Sequence, residues 1–298
     1  MFIRHPTTLM NPNLLQKIKS PAPAWLPGPR TLLRLSGADR LRFLNGQVTQ
    51  DLKKLIPGSA IRSAIITSKG RLEADLHIAA TPDSLLIETD FSLRESIRSR
   101  IEKFIVADDV TVEDISFSYT LAHFPTLTSP PSHTPADALH FLCPRFREPG
   151  IDLWLPSTSS WKPAASPLPD WEPLRIARGL PLWGIDVGPD TLPPEAGFES
   201  DAISSTKGCY IGQEVMSRLR SVGHVNRHLC VLGTPSASPQ GVGECTNSDG
   251  VVAGKISSLT PVIHFSITLA LAMIKRDYAT VGNSVLAEGA SWTIIRHA

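Results

Sequence analysis

The sequence predicts an α+β protein of more than one module that ends in a small all-β domain, and three observations carry that reading. Between Leu32 and Val106 the apolar residues alternate between strand spacing and helix spacing, as expected where helices cover one face of an antiparallel sheet. From Arg227 to Ala298 no helical period survives, glycine recurs at 233, 241, 243, 250, 254, 282 and 289, and short β-rich runs such as VVAGKI and SWTIIRH follow one another. The chain has 298 residues, 42% of them hydrophobic, which is enough for more than one core.

Taken in order, LLRL reads as a strand, Ser36-Gly37 as a turn, and the following run as a helix capped by Asp39 with Leu41, Leu44 and Val48 on one face. AIRSAIIT and RLEADLHIAA flank SKG (68–70), a hairpin with glycine at the turn, and LLIETD is a further strand. SLRESIRSRIEKFIV gives a second helix with Leu93, Ile97, Ile101 and Phe104 on its buried face. VTVEDISFSYTLAHF is strand-like, whereas 126–138 and 157–171 are Pro/Ser/Thr loops. WEPLRIARGLPLWGIDV is a short helix ended by Gly179 and Pro181, and IHFSITLALAMI (263–274), broken by His264, Ser266 and Thr268, is buried strand and turn, too short for a membrane helix.

Composition excludes several functions. A net charge of +1 supplies no global field toward nucleic acid or an anionic membrane, and no basic stripe with interleaved aromatics is present. Four scattered cysteines without a CxxC pair indicate neither a zinc ribbon nor a disulfide framework, and suit a reducing compartment. The nine histidines form no HExxH, and no Walker or GxGxxG loop occurs. The first 38 residues lack Asp and Glu but carry Arg4, Lys17, Lys19, Arg30 and Arg34, a bias shared with organellar transit peptides. The prolines of PAPAWLPGP oppose an amphipathic targeting helix, and 1–28 read as a loose leader.

The chemical centre is TKGCYIGQE (206–214). Gly208 and Gly212 bracket Cys209 and leave the backbone free to turn there. Ile211, Val215, Leu219 and Val222 keep a helical spacing, so Cys209 is expected at or just before a helix N-terminus. The helix dipole there favours thiolate over thiol, and Lys207 adds a cation if its side chain turns the same way. A cysteine among aromatic and aliphatic residues is also a common small buried hydrophobe, so both readings stand at this point. Cys143, Cys230 and Cys245 have no comparable setting and read as structural. Trp171 and Trp183 could stack on a flat heteroaromatic ligand, and Glu195, on the stiff loop LPPEAG, could hydrogen-bond an amino-pyrimidine edge, although core and solvated-loop roles suit them equally.

KGCYIGQEVMSR resembles the signature segment of the YgfZ family of folate-binding iron-sulfur proteins, whose eukaryotic members act in mitochondrial iron-sulfur assembly. The resemblance extends to LLRLSGADRLRFLNGQVTQDL, with Gly37, Asp39, Gln47, Thr49 and Asp51, and to SKGRLEADL, WEPLRIARGLP and GVVAGKISSL. It implies the fold of the glycine cleavage T-protein: two ferredoxin-like modules and a C-terminal β-barrel around a central channel that takes tetrahydrofolate. The implied boundaries are 29–107 for the first α+β module, 108–224 for the second with the KGCYIGQE motif, and 225–298 for the barrel.

The same resemblance implies that Cys209 is the reactive thiolate or a transient cluster ligand with Lys207 as its electrostatic partner. The implied folate pocket holds Trp171, Glu195, Arg71, Tyr210 and Arg30, which stands where the family has a second tryptophan, while Gly208, Gly212, Gln213, Glu214 and Arg218 support the motif. Aminomethyltransferases carry an acidic residue where this chain has Ala177 and another near Ala74, and alanine can neither accept nor orient a proton. The expected function is therefore a tetrahydrofolate-binding accessory in iron-sulfur assembly or repair, serving enzymes such as those that thiomethylate tRNA. The alternative is a folate-dependent one-carbon transferase. One thiolate cannot hold a cluster alone, so assembly factors or client cluster enzymes are the expected partners, with no resident metal, nucleic acid or membrane. The expected compartment is the cytoplasm, or the mitochondrial matrix for a eukaryotic source.

Overall fold

A computed structural model describes residues 12–18, 24–25, 29–161, 171–221, 223–235 and 241–298. The expected leader over 1–28, and with it the targeting question, lies outside the described residues except for 12–18 and the backbone of 24–25, and most of the loop at 157–171 lies outside them too. In chain order the elements are α1 (Pro12–Lys17), β1 (Ala24–Trp25), β2 (Arg30–Ser36), α2 (Arg40–Gln47), β3 (Ala60–Ile66), β4 (Leu72–Ala80), β5 (Leu85–Asp90), α3 (Arg94–Glu102), β6 (Thr111–Asp114) and β7 (Tyr119–Pro125). They continue with β8 (Leu139–Leu142), β9 (Gly150–Pro156), α4 (Glu172–Ala177), α5 (Gln213–Ser221), β10 (Arg227–Thr234), β11 (Gly243–Thr246), β12 (Val252–Val262), β13 (Ile267–Lys275), β14 (Ser284–Ala287) and β15 (Ala290–His297).

The chain forms two compact units, each discontinuous in sequence. A barrel unit comprises Met1–Ser20, Pro169–Gly197 and Val222–Ala298, and a sheet unit comprises Pro21–Leu168 and Phe198–Ser221. The span expected as a second module, 108–224, is thus shared between them: 169–197 pack with the barrel, and the KGCYIGQE motif packs in the unit of the first sheet.

In the barrel unit, six antiparallel strands close in the order β10-β13-β12-β11-β14-β15. Irregularities at Val231/Leu232, Cys245/Thr246 and Ile256/Ser258 bend the strands, and Cys230, Cys245, Ile256, Trp292 and Ile294 fill the interior. The small helix α4 is tied to this barrel by one buried charge pair. Arg175 donates to Asp186 Oδ2 at 2.8 Å, and the hydroxyls of Ser257 and Ser258 on β12 donate to Asp186 Oδ1 at 2.5 and 2.7 Å.

In the sheet unit, the five-stranded sheet β3-β4-β5-β2-β6 and the four-stranded sheet β1-β7-β9-β8 are antiparallel throughout. The two pack face to face. One part of their interface is apolar, with Leu32, Ala60, Ala79 and Leu86 against Phe141 and Trp154. The other part is charged, because the same alternation that aims Ala79 and Leu86 inward also aims His77 and Glu88 inward. Arg145 resolves that burial by donating to Glu88 Oε2 at 2.9 Å and to Asp152 Oδ2 at 2.6 Å, and Arg30 adds a bond to Glu88 Oε1. His123 donates to Asp152 Oδ1 at 2.7 Å.

Two helix faces differ from the sequence expectation. On α2 the buried residues are Phe43 and Leu44, whereas Leu41 is 40% exposed. Asp39 holds the N-cap position without a capping bond, because its carboxylate accepts the backbone N–H of Asp109 at 2.9 Å instead. On α3, Ile97 and Ile101 are buried as expected, but Phe104 lies beyond the helix end and is 39% exposed, with the Arg100 guanidinium 4.0 Å above its ring.

The charged interface makes stability depend on pH with a defined sign. The guanidinium of Arg145 helps hold the Asp152 and Glu88 carboxyls below their usual range against the opposing effect of burial, while burial pushes His123 down. All three groups bind protons less readily in the folded chain than in the unfolded one. The contribution of the two carboxylates is present above the ordinary carboxylate pKa of about 4 and is lost as pH falls below it, while that of His123 is present above the ordinary imidazole value of about 6.5 and starts to be lost as pH falls below that. Urea midpoints are expected to fall between pH 5 and 3, with a shallower slope in Glu88→Gln; equal slopes would contradict this assignment. Arg145→Met, which takes the shared cation from two buried carboxylates, is expected to cost about 3–5 kcal/mol at neutral pH in the same assay.

Candidate functional site at the Cys209 loop

Residues 198–212 run along the end of α2 and the start of β3 in the sheet unit, and a series of bonds fixes them there. Arg62 grips Asp75 in bidentate fashion at 2.9 and 2.7 Å and reaches Asp201 at 3.1 Å, with its guanidinium 4.2 Å above the ring of Phe198. Arg147 donates to the same Asp201 at 2.8 Å. The cleft of about 340 Å³ beside them is lined by Gln50, Arg62, Arg147 and Asp201, so its cations already face carboxylates. Further along, Thr49 donates its hydroxyl to the carbonyl of Ala202 at 2.7 Å, and the Ser204 amide donates to the carbonyl of Thr49 at 3.1 Å.

Lys207 is the densest of these anchors. Its ammonium donates to three backbone carbonyls, those of Asn45 at 2.6 Å, Val48 at 2.7 Å and Gln50 at 2.9 Å. These carbonyls lie at or just past the end of α2, where helix geometry leaves acceptors without helical donors. Burial pushes the Lys207 pKa down to about 8, and three converging carbonyls, which only –NH3+ can satisfy together, oppose loss of the proton. The same ammonium sits 5.0 Å from the centre of the Tyr210 ring, which is itself buried.

Cys209 is exposed, whereas Cys143, Cys230 and Cys245 are buried, and all four thiols are free. Burial pushes the Cys143 thiol well up, Cys230 up to about 12 and Cys245 up to about 11, so those three stay protonated. Helix α5 begins only at Gln213, so Cys209 lies on irregular backbone before a turn at Ile211-Gly212 rather than at the helix N-terminus expected from the spacing. The dipole effect fades within the first helical turn. Met216, not the Ile211/Val215/Leu219 stripe, is the buried residue of α5.

The other motif residues have distinct surroundings. Gly212 has φ of +81°, and a Cβ there would come within 2.5 Å of the Thr67 carbonyl oxygen. Gly70, at the tip of the SKG hairpin with φ of +76°, faces the side chains of Met216 and Val215 of α5, each 2.8 Å from where a Cβ would stand. Gly208 faces open space. Gln213 reaches back to the Lys207 carbonyl at 3.4 Å, while Glu214 and Arg218 are exposed. Arg71 is exposed on the hairpin, its amide donating to the Thr67 hydroxyl, and Arg30 is engaged by Glu88 in the inter-sheet cluster.

Trp171 and Glu195 belong to the barrel unit. Trp171 precedes α4 and is 5% exposed, which covers the stacking face expected of it. Glu195 is buried, with Oε2 accepting the Leu192 amide at 2.9 Å and Oε1 paired with Arg227 at 3.0 Å. Arg227 is the residue that sequence reasoning missed, because an arginine opening a strand carries no signal of its partner. Ala177 and Ala74 are both buried. Among the described residues, no group of three His, Cys, Asp or Glu side chains is placed to hold a metal ion, and no helix is long and apolar enough to cross a membrane.

No family model matches the sequence. A solved structure of the glycine cleavage system aminomethyltransferase T from Bartonella henselae superposes with a TM-score of 0.75 over 89% of this chain and 82% of that one, at 15% identity. The fold is therefore of the aminomethyltransferase type, α+β with a closed C-terminal barrel. A putative chloroplastic transferase of Arabidopsis thaliana is 26% identical over 287 residues, 85% of this chain but only 65% of that protein's length. The tRNA-modifying YgfZ proteins of Sodalis glossinidius and Yersinia pestis are 26% and 24% identical, each over 72% of this chain. The chain is a relative of the YgfZ family, as its KGCYIGQE segment implies.

The two motif glycines are expected to separate cleanly in denaturation. Gly212→Ala, which meets both a left-handed φ and a backbone oxygen, should cost about 1–3 kcal/mol. Gly208→Ala should stay within about 0.5 kcal/mol of the parent, since its Cβ meets nothing. Equal losses in urea melts would contradict the loop geometry.

Proposed function

We propose that this chain is a tetrahydrofolate-binding accessory protein of iron-sulfur cluster assembly or repair, serving cluster-dependent enzymes that include tRNA-modifying ones. The observation that carries the reading is the contrast among the thiols: Cys209 alone of the four is exposed, on a loop anchored at Lys207 and Gly212. A single exposed thiol on rigid backbone is suited to contribute one ligand to a cluster whose other ligands come from a partner or a small thiol. Proteins named for tRNA modification among its relatives support the choice of clients. A reducing compartment, cytoplasmic or organellar, keeps that thiol available.

The donor set in the barrel unit suits a folate ring in part. Glu195 is buried, oriented by Leu192 and Arg227, and each carboxylate oxygen retains a lone pair for ring N–H donors. Arg227 supplies N–H donors for a ring carbonyl or carboxylate, while Trp171, 5% exposed, offers no open stacking face. When bound, the folate would supply one-carbon chemistry or a reduced pterin. The protein's own part is to bind and orient it.

The aminomethyltransferase fold favours a second reading, a folate-dependent one-carbon transferase. Against it stand the methyl side chains of Ala74 and Ala177, both buried, where an acid and its partner would be needed to move a proton.

Tetrahydrofolate titrations followed by tryptophan fluorescence, under anaerobic reducing conditions, test both readings. Saturable binding is expected in the parent, a loss of about tenfold or more in Glu195→Gln, and parental affinity in Cys209→Ala. Loss of affinity in Cys209→Ala would put the thiol in the pocket and favour the transferase. Absence of saturable binding in the parent would refute the folate half of the proposal.

A further inference from the structure

We propose that Lys207 is a positioning residue for Cys209 that acts by pinning the backbone, not by placing a charge beside the thiol. The proposal rests on the reading of Cys209 as the working group. An ammonium has three N–H donors, and all three are accounted for by the carbonyls of Asn45, Val48 and Gln50. None is left to donate to a thiolate.

The geometry on the far side of Cys209 completes the argument. The Ile211 amide donates to the carbonyl of Gly46 at 3.4 Å, beside the Asn45 carbonyl that receives Lys207. Gly212 then fits against the Thr67 carbonyl, where a side chain would collide. The span 208–210 is therefore held at both ends by the last turn of α2 and the hairpin, with Gly208 over open space, Tyr210 folded under the ammonium and the Cys209 side chain exposed between them. Pinning both flanks leaves the thiol few positions, so it meets a partner's cluster without an ordering step.

The identity of the cation follows as well. Three carbonyls that converge on one point suit a compact ammonium, whereas a guanidinium is a planar fork whose donors diverge. Arginine would preserve a charge effect and lose the anchor. That difference separates the two roles.

The test is the rate of iodoacetamide alkylation as a function of pH in the parent, Lys207→Arg and Lys207→Met, read by intact mass and peptide mapping; the other cysteines are buried, so the native protein reports Cys209. The pH midpoint is expected to be the same in all three, the plateau rate to rise in both variants as the loop is released, and support of cluster enzymes to fall about tenfold or more in both. A midpoint raised in Lys207→Met but parental in Lys207→Arg overturns the proposal in favour of a charge effect. Should the variants not fold, competitive acylation of the parent's lysines decides: Lys207 is expected to label far more slowly than exposed Lys53 and Lys54, and equal labelling overturns the anchor. Cys209→Ser that supports cluster enzymes at the parental level would instead overturn the reading of Cys209 as the working thiol, while the alkylation profiles still judge the positioning.

Discussion

A guanidinium buried between carboxylates of two different sheets is the constraint on which the sheet unit depends. Two stacked sheets with strictly alternating side chains should present apolar residues to each other along their whole length. Here His77 and Glu88 share strand faces with inward-facing Ala79 and Leu86, and Asp152 shares one with Trp154. Without Arg145 the two sheets would bring the buried carboxylates of Glu88 and Asp152 together, with Arg30 left to Glu88 and His123 to Asp152 and no cation shared between the sheets. With it, every ionised member has a charged partner, and the sheets lock in one register. Buried charge of this kind adds little net stability over an apolar core but penalises alternative packings heavily.

This cluster also explains where sequence reading stopped. The hairpin at Gly70, the helix end at Gly179 and the glycine-rich final strands were legible because each rests on a local rule, a positive φ or a period of two. Charged residues at alternate strand positions obey the same rule and read as a solvated face. Nothing local tells Glu88 that Arg145 will arrive from 57 residues away. For the same reason Leu41 and Phe104 looked like core: each sits at helical spacing, and only the end of the helix or its rotation on the sheet decides exposure. The division of the chain into two interleaved units is a further non-local fact that no composition shift announces.

The site was half legible. Cys209 stood out because glycines flank it and polar residues follow, and it is the exposed thiol of the four. The role of Lys207 did not stand out, because its partners are backbone carbonyls, which every residue carries and no letter records. A lysine two residues from a cysteine suggests a charge effect by proximity in sequence. Side-chain reach allows it to turn away, and three unsatisfied acceptors at a helix end reward it for doing so.

Two ways of preparing a thiol then compete, and they leave different traces. Activation lowers the cost of the thiolate through a nearby cation or helix dipole and needs the side chain close to that charge. Here the helix starts too late, at Gln213, and the neighbouring ammonium has spent its donors. Preorganisation instead fixes where the sulfur sits, which suits a group that must join ligands supplied by another molecule more than one that must attack a substrate. Residues 207–212 are built for the second: anchors on both sides of the cysteine, a glycine that only fits because it has no Cβ, and open space over Gly208 through which a bulky partner can approach.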